Sequence, residues 1–263
     1  MKRAKLLFLQ AMVMVVALLI WHVVTAYPIM GEVKTIQFFF STPAAVIGRT
    51  WTQLTGTEIY WHIGITLTET VLAFVIGSAA GIFFGFVFAR QQLLAAVFDP
   101  YIKAANALPR VVLAPIFALW FGLGIWSKVA LGFTLVFFIV FFNVYQGVRE
   151  VSPTVLANAR MLGMNERQLF RHVYWPSALT WMFSSLHTSV GFALIGAVVG
   201  EYLGSSAGLG YKIHEAESVF DVTGVFSGML ILTIFVIAID SLVTMVEKRL
   251  LVWRPGQSST TTT

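Results

Sequence analysis

The sequence contains 263 residues, of which 58% are hydrophobic and only 11% are charged, and its mean hydropathy is +0.83. Soluble domains carry about 25% charged residues, so this composition excludes an ordinary soluble globular protein. The absence of cysteine excludes disulfides, thiolate catalysis and Cys-ligated metal sites. The net charge of +5 fits basic loops that orient a membrane protein better than it fits nucleic-acid binding.

Five apolar stretches are long enough to cross a bilayer, which takes about 17–25 residues. These stretches cover residues 6–27, 66–89, 125–147, 181–203 and 225–246. The first follows a basic segment, as the apolar part of a signal peptide does. It is too long for a signal peptide, however, and no small-residue cleavage site follows it, so we predict a retained helix.

The region 93–121 is a sixth candidate span, although prolines and charged residues interrupt it. We predict an interfacial helix from Leu93 to Ala107, followed by a proline-bent span that ends at Gly122. A broken helix is tolerated at membrane depth only where neighbouring helices or a cavity satisfy its backbone groups. The predicted fold class is therefore an all-α polytopic membrane protein with six transmembrane helices.

The distribution of Lys and Arg predicts the orientation. With six spans, twelve of these residues fall on the side of the N-terminus and four on the other side. The positive-inside rule then places both termini in the cytoplasm. Residues 1–65 are predicted to hold the first span and an outer loop, with a short surface helix starting at Ser41-Thr42-Pro43. Residues 66–254 hold five further spans, and residues 255–263 form a disordered tail.

Three glycines recur at four-residue spacing in the second span, at Gly77, Gly81 and Gly85. Small residues at this spacing let two helix backbones approach closely in lipid. The pattern predicts tight packing, either between helices of one chain or at a subunit interface.

The segment from Arg149 to Trp181 is predicted to form a basic helix–turn–helix beside the membrane. Ser152-Pro153 is a good helix start, and Gly163 stops the first helix as a C′ glycine does. A second helix begins at Asn165, and we expect Pro176 to end it ahead of the next span. The residues alone leave two interpretations open: a helix lying on lipid headgroups, or an element that docks a partner.

The spacing of Ala159, Gly163, Val173 and Pro176 resembles the cytoplasmic signature of binding-protein-dependent ABC importer permeases. That signature consists of Glu-Ala-Ala, then a glycine, then an aliphatic residue and Leu-Pro. In this sequence Ala157 stands where the family has its acidic residue.

Further short motifs resemble, in the same order, the subfamily that imports nitrate, taurine and aliphatic sulfonates. They are Asp99-Pro100, Leu108-Pro109, Leu119 to Gly124 with Ser127-Lys128, Asn143, Gly147 to Arg149, Gly200-Glu201, Gly208 to Tyr211 and Glu247 to Leu250. The resemblance covers about residues 65–254. It implies the type I ABC importer permease fold with a cytoplasmic coupling helix.

The resemblance also implies a function and partners. It implies a multi-pass subunit of the bacterial inner membrane that forms a translocation pathway as a homodimer, beneath an external solute-binding protein. Two separate ATPase subunits would bind ATP and Mg and dock on the coupling helix. This chain carries no phosphate-binding glycine-rich loop and no catalytic motif, so we expect it to be no enzyme and to hold no cofactor.

The substrate implied by the resemblance is a small anion such as a sulfonate, taurine or nitrate. The alternatives are a permease for a vitamin precursor or an aromatic acid, and a stand-alone secondary transporter. The five histidines are scattered without metal-ligand spacing, so no metal site is predicted.

Two sets of residues are candidates for these functions. The resemblance implies that the first set contacts the ATPase, with an apolar face and a charged rim: Leu156, Ala157, Ala159, Arg160, Leu162, Gly163, Met164, Glu166, Arg167, Leu169, Phe170, Arg171 and Pro176. The second set is ionisable or hydroxyl-bearing at membrane depth and is expected to line the pathway or a gate: Glu69, Arg110, Ser184, His187, Thr188 and Glu201. Helix–helix packing is the alternative role for the second set.

Overall fold

A computed structural model of the chain describes residues 2–28 and 32–250. Within these residues the chain forms twelve α-helices and no strand. They are α1 (Lys2–Ala26), α2 (Val33–Phe40), α3 (Pro43–Thr55), α4 (Glu58–Arg90), α5 (Gln92–Ala107), α6 (Ala114–Phe121), α7 (Ile125–Arg149), α8 (Pro153–Met161), α9 (Glu166–Leu169), α10 (Trp175–Leu203), α11 (Leu209–Ser218) and α12 (Val222–Leu250). Arg254 and the tail predicted at 255–263 lie outside the described residues.

Among the described helices, α1, α4, α7, α10 and α12 are each long and apolar enough to cross a membrane. Helix α5 and the segment Arg110–Phe121 make a sixth span if they are counted together, and they are bent by 86°. The bend falls at Leu108 and Pro109, because the residue before a proline avoids the helical region and Leu108 is extended. The helix expected up to Ala107 and the break that follows it are therefore confirmed, whereas the interfacial position of α5 stays a prediction.

The core of the fold is a bundle of α4, α7 and α10. Helix α4 carries its three glycines toward α7, where a valine stands on each successive turn. Gly77 faces Val136, Gly81 faces Val140 and Gly85 faces Val144. A Cβ added to any of these glycines would come within 2.8 Å of the valine Cβ, far inside van der Waals contact. The glycine pattern therefore serves packing within one chain.

The remaining long helices lie around this core. Helix α12 packs on α3, where Thr50 and Ser227 share a 3.0 Å hydrogen bond. Helix α1 joins through the Trp21 indole, which donates to the Phe40 carbonyl at 3.2 Å and lies 5.7 Å from the Phe226 ring. The predicted surface helix is α3, which begins at Pro43 as expected. Sequence patterns missed α2 and α11.

Helices α9 and α10 are joined without a break, which corrects the expectation that Pro176 ends a helix. A π-helical turn, Phe170–Tyr174, connects them, and the Trp175 N–H donates to the carbonyl of Phe170, five residues back. A proline ring normally clashes with the carbonyl four residues earlier. The wider π turn moves that carbonyl aside, so the helical path continues from Glu166 to Leu203.

Candidate functional site

The loop between α7 and α10 folds as the helix–turn–helix that was predicted. The Ser152 hydroxyl accepts a hydrogen bond from the Thr154 N–H at 3.3 Å, which caps α8. Gly163 makes the turn with φ of +80°, a conformation that side chains with a Cβ disfavour. Asn165 and Gln168 then form a reciprocal capping box at 2.9 Å that starts α9.

Some of the apolar side chains expected to contact an ATPase are buried, and others are exposed. Ala159 is 6% exposed and Leu169 is fully buried, so the expectation that these two side chains form a docking surface is wrong. Phe170 packs inward as well, with its ring 5.3 Å from Phe86 of α4. Leu162, by contrast, is 80% exposed, as is its neighbour Met161. The outward apolar surface of the loop is thus the tip at Met161 and Leu162.

The other candidates in this loop differ in exposure. Leu156 and Met164 are half-buried. The exposed members of the set are Ala157, Arg160, Gly163, Glu166, Arg167, Arg171 and Pro176. Ala157 faces solvent, so the folded chain needs no acidic residue at that position.

The loop is tied to the core bundle on two sides. Arg90 at the end of α4 forms a 2.5 Å ion pair with Glu166, and its guanidinium lies 5.7 Å from the Tyr174 ring centroid. Glu150, which directly follows α7, accepts a hydrogen bond at 3.0 Å from the indole N–H of Trp181 in α10. A rigid-body displacement of the loop therefore pulls on both α4 and α7.

The hydroxyl-bearing stretch of α10 is split between two faces. Ser184 and Thr188 are exposed on one face, where they are free to line a pathway. Ser185 and Ser189 are buried among the helices, as packing residues are. His187 points toward α12, where its Nε2 lies 3.6 Å from the carboxylate of Asp240.

Arg110 stands at the sharp bend before α6. Its guanidinium lies 4.9 Å above the ring of Phe138, and it donates to the side chain of Asn106. Phe138 is near the middle of α7, roughly 20 Å along that helix at 1.5 Å per residue. The bend therefore places a half-buried cation about midway along a spanning helix.

Glu69 of α4 and Glu201 of α10 are both buried, and Glu201 belongs to a polar cluster at the end of the core bundle. The Glu201 carboxylate accepts from the Thr66 hydroxyl at 2.6 Å and from the Gly210 N–H at 2.7 Å. Lys128 joins from the first turn of α7 and is 1% exposed. This cluster fixes the start of α11 onto the core bundle.

Sequence patterns missed three members of this cluster: His62, Thr66 and Lys128. The Lys128 ammonium is buried and donates to the Leu123 and Gly124 carbonyls at 2.5 and 3.1 Å. The available signal was a lysine within the first turn of an apolar segment, because an ionisable group at membrane depth needs a partner. His62 and Thr66 gave no such signal.

Comparisons with known proteins agree with this architecture. Residues 77–252 match the family described as binding-protein-dependent transport system inner membrane component. The chain is 32% identical over 220 residues to the formylaminopyrimidine transport permease protein ThiX of Halalkalibacterium halodurans, covering 84% of this chain and 88% of that protein. It is 30% identical over 213 residues to the putative aliphatic sulfonates transport permease protein SsuC of Bacillus subtilis, covering 81% and 77%.

Among solved structures, a chain of the inward-facing MetNI methionine ABC transporter superposes with a TM-score of 0.56. The two chains are 16% identical, and the match covers 78% of this chain and 94% of the other. This likeness confirms the type I importer permease fold. Together with the family match over residues 77–252, it leads to one conclusion: the chain belongs to the family of binding-protein-dependent transport system inner membrane components.

Proposed function

We propose that this chain forms the substrate pathway of an ATP-binding-cassette importer, as one of two identical permease subunits. The observation that carries the proposal is the loop between α7 and α10. Its apolar tip, Met161 and Leu162, is exposed and is flanked along the chain by the exposed charged residues Arg160, Glu166 and Arg167. Its base is fastened to α4 and α7. An exposed apolar centre with a charged rim is the composition of a docking surface.

Two separate ATPase subunits are the proposed occupants of these surfaces, one on each permease. ATP and Mg belong to those subunits in this proposal, because the sequence here has no phosphate-binding loop, and the chain itself is no enzyme. Rim charges such as Arg160 and Arg167 would contribute more to partner choice than to affinity. An external solute-binding protein would deliver substrate at the opposite end of the bundle, where α3 and α11 lie.

The proposed orientation follows from charge. The end of the bundle with α8 and α9 carries Arg90, Arg149, Arg160, Arg167 and Arg171. Basic residues favour the cytoplasmic side, so this end is assigned to the cytoplasm together with both termini. Helix α11 is then external.

A small anion is the proposed substrate class. Arg110 supports an anionic substrate, because its guanidinium lies beside the middle of α7 and would attract an anion there. Cations are rare at this depth of a membrane protein. Similarity to SsuC favours an aliphatic sulfonate. The similarity to ThiX favours a neutral pyrimidine-type vitamin precursor instead, and that is the second candidate.

Reconstitution tests the importer proposal. The chain is purified with its ATPase subunits, placed in proteoliposomes and supplied with binding protein loaded with an alkanesulfonate. We expect ATP hydrolysis to rise when the loaded binding protein is added, and solute to enter the vesicles only with ATP. Solute uptake by this chain alone, without ATP, would instead identify a stand-alone secondary transporter.

The substrate class is tested by replacing Arg110 with Gln. Uptake of an alkanesulfonate should fall at least tenfold, while uptake of a neutral formylaminopyrimidine should be unaffected. Lys103→Gln is the matched control, because Lys103 is an exposed cation of α5 paired with Asp99 at 2.7 Å. Equal sulfonate uptake in both variants would remove Arg110 from the pathway.

A further inference from the structure

A groove of about 630 Å³ lies between α4 and the junction of the π turn with α10. Its lining is apolar and aromatic except for two polar residues where α4 ends: Ala79, Ile82, Phe83, Phe86, Val87, Phe170, Trp175, Arg90 and Gln91. Phe86 is buried, and its ring stacks on Trp175 with 5.5 Å between the ring centroids. Phe83 is 62% exposed, so the groove is open on the outside of the bundle.

The length of the groove matches one leaflet of a bilayer. Ala79 and Arg90 are eleven residues apart on one helix, or roughly 16 Å at 1.5 Å per residue. The hydrocarbon core of a bilayer is about 30 Å thick, so each leaflet contributes about 15 Å. A groove that starts at the bilayer surface beside Arg90 therefore reaches the midplane near Ala79, which is the path of a phospholipid acyl chain.

Aromatic residues mark the level of the lipid headgroups at the Arg90 end. Tryptophan and tyrosine are enriched where a membrane meets water. Trp175 lines the groove, and the Arg90 guanidinium lies 5.7 Å from the centre of the Tyr174 ring. Arg90 thus stands at the depth of a phospholipid phosphate, a group that arginine binds through two parallel N–H donors.

The charges around Arg90 favour a headgroup with a net negative charge. Glu166 contacts the Nη2 atom of Arg90, and a guanidinium has five N–H donors in all. The same carboxylate lies 3.8 Å from Arg160, so one anion faces two arginines. Arg167 and Arg171 add two exposed cations in α9 and the π turn. Basic pockets beside spanning helices are typical sites for anionic headgroups.

We propose that this groove binds one anionic phospholipid, with an acyl chain along Phe83 and the phosphate at Arg90. The chain lies at membrane depth, where a soluble partner does not reach. The lipid contacts α4 on one side and Phe170 and Trp175 on the other, so it joins the core bundle to the base of the loop.

Lipid binding to the purified full chain tests the headgroup. The chain in detergent is titrated with phosphatidylglycerol or with phosphatidylcholine, and the bound lipid is counted by native mass spectrometry. One phosphatidylglycerol per chain should bind more tightly than phosphatidylcholine. Arg90→Gln should weaken its binding about fivefold, as expected for one basic residue near an anionic headgroup. Equal affinity for the two lipids would overturn the proposal.

Arg149→Gln is the matched control for this titration. Arg149 also ends a spanning helix and lies 5.3 Å from a tyrosine ring centroid, but it does not line the groove. Phosphatidylglycerol binding should therefore be unchanged in Arg149→Gln. An equal loss in Arg149→Gln and Arg90→Gln would show that the lipid responds to overall charge and would refute a site at Arg90.

Glu166→Gln separates the charge of Arg90 from its ion pair. The substitution breaks the same pair as Arg90→Gln but leaves the cation in place, so phosphatidylglycerol should bind as tightly as before or more tightly. Loss of binding in both variants would show that the ion pair, and not the positive charge, is required. That result would overturn the assignment of the phosphate to Arg90.

A photo-reactive side chain identifies the occupant of the groove directly. We suggest p-benzoylphenylalanine in place of Phe83, with irradiation in vesicles that contain equal amounts of phosphatidylglycerol and phosphatidylcholine. The expected product is the chain plus one phospholipid, with phosphatidylglycerol in excess. Cross-linking to a second copy of the chain, or to an ATPase subunit when one is added, would show that a protein covers the groove and would refute the lipid site.

Discussion

Gly81 of α4 and Val140 of α7 lie so close that a Cβ added to the glycine would stand 2.8 Å from the valine Cβ. Backbone atoms of Phe137 and Phe141 lie within 3.0 Å of the same point. Neither helix can relieve the contact by turning one side chain. Because the same pairing repeats one turn away in each direction, α4 and α7 are fixed in register as well as in distance.

Replacing Gly81 with Ala should therefore destabilise the protein, by about 1–3 kcal/mol as is usual for overpacking. Gly64→Ala is the matched control on the same helix, because nothing lies within 4 Å of its added Cβ. That control should be neutral or stabilising by up to about 1 kcal/mol, since Ala is the better helix former. Thermal unfolding in detergent measures both, and equal midpoints would contradict the packing argument.

A charge at the loop tip should separate docking from folding. Leu162→Asp introduces a carboxylate at an 80% exposed position, so we expect normal membrane insertion and thermal stability but weak assembly with the ATPase subunits. Val219→Asp makes a similar change at a 70% exposed position at the other end of the bundle, and assembly should survive it. Co-purification and ATPase activity are the measurements. Intact assembly in Leu162→Asp would move the docking surface elsewhere.

Truncating a buried leucine in the same loop should lower the stability of the protein, unlike a substitution at the exposed tip. Leu169→Ala leaves a cavity beneath the loop, and such changes cost about 2–5 kcal/mol in a packed core. Leu162→Ala removes the same atoms from an exposed position and should change stability by less than about 0.5 kcal/mol. Denaturation midpoints compare the two, and a similar cost at both sites would contradict the observed burial.

The Arg90–Glu166 ion pair is suited to a double-mutant cycle. Both side chains are partly exposed, so their interaction free energy should be about 0.2–1 kcal/mol and should weaken at high salt. Arg90→Ala and Glu166→Ala should each lower the stimulation of ATP hydrolysis by loaded binding protein, and the double variant should be no worse than either single one. Fully additive losses would show that the two residues act independently.

Much of the architecture was predictable, because a membrane restricts the chain to long apolar helices. The spans, the break near Pro109 and the turn at Gly163 each have a local cause in one or two residues. Helix α11 had no such cause: its sequence is not apolar, and its first turn is held by Glu201, Thr66 and His62 from elsewhere in the chain.

The candidate sites show the same limit. The family resemblance implied that Leu162 and Leu169 share one docking face, and helical periodicity does not tell which face meets the chain's own core. Depth along the apolar segments singled out Glu69 and Glu201 but not Lys128, whose position depends on how α7 packs against Gly200 of α10. Contacts between distant segments decide these assignments, and no local pattern records them.

The unbroken helical path from Glu166 to Leu203 has a mechanical consequence. At 1.5 Å per residue it is roughly 55 Å long, and it joins the loop at one end to Glu201 and the foot of α11 at the other. A displacement of the loop is therefore transmitted along continuous helix, through the π turn at Phe170–Tyr174, to the opposite end. A movement of the loop can reach the opposite end of the bundle through the backbone of these consecutive helical segments, without a chain of side-chain contacts between different helices.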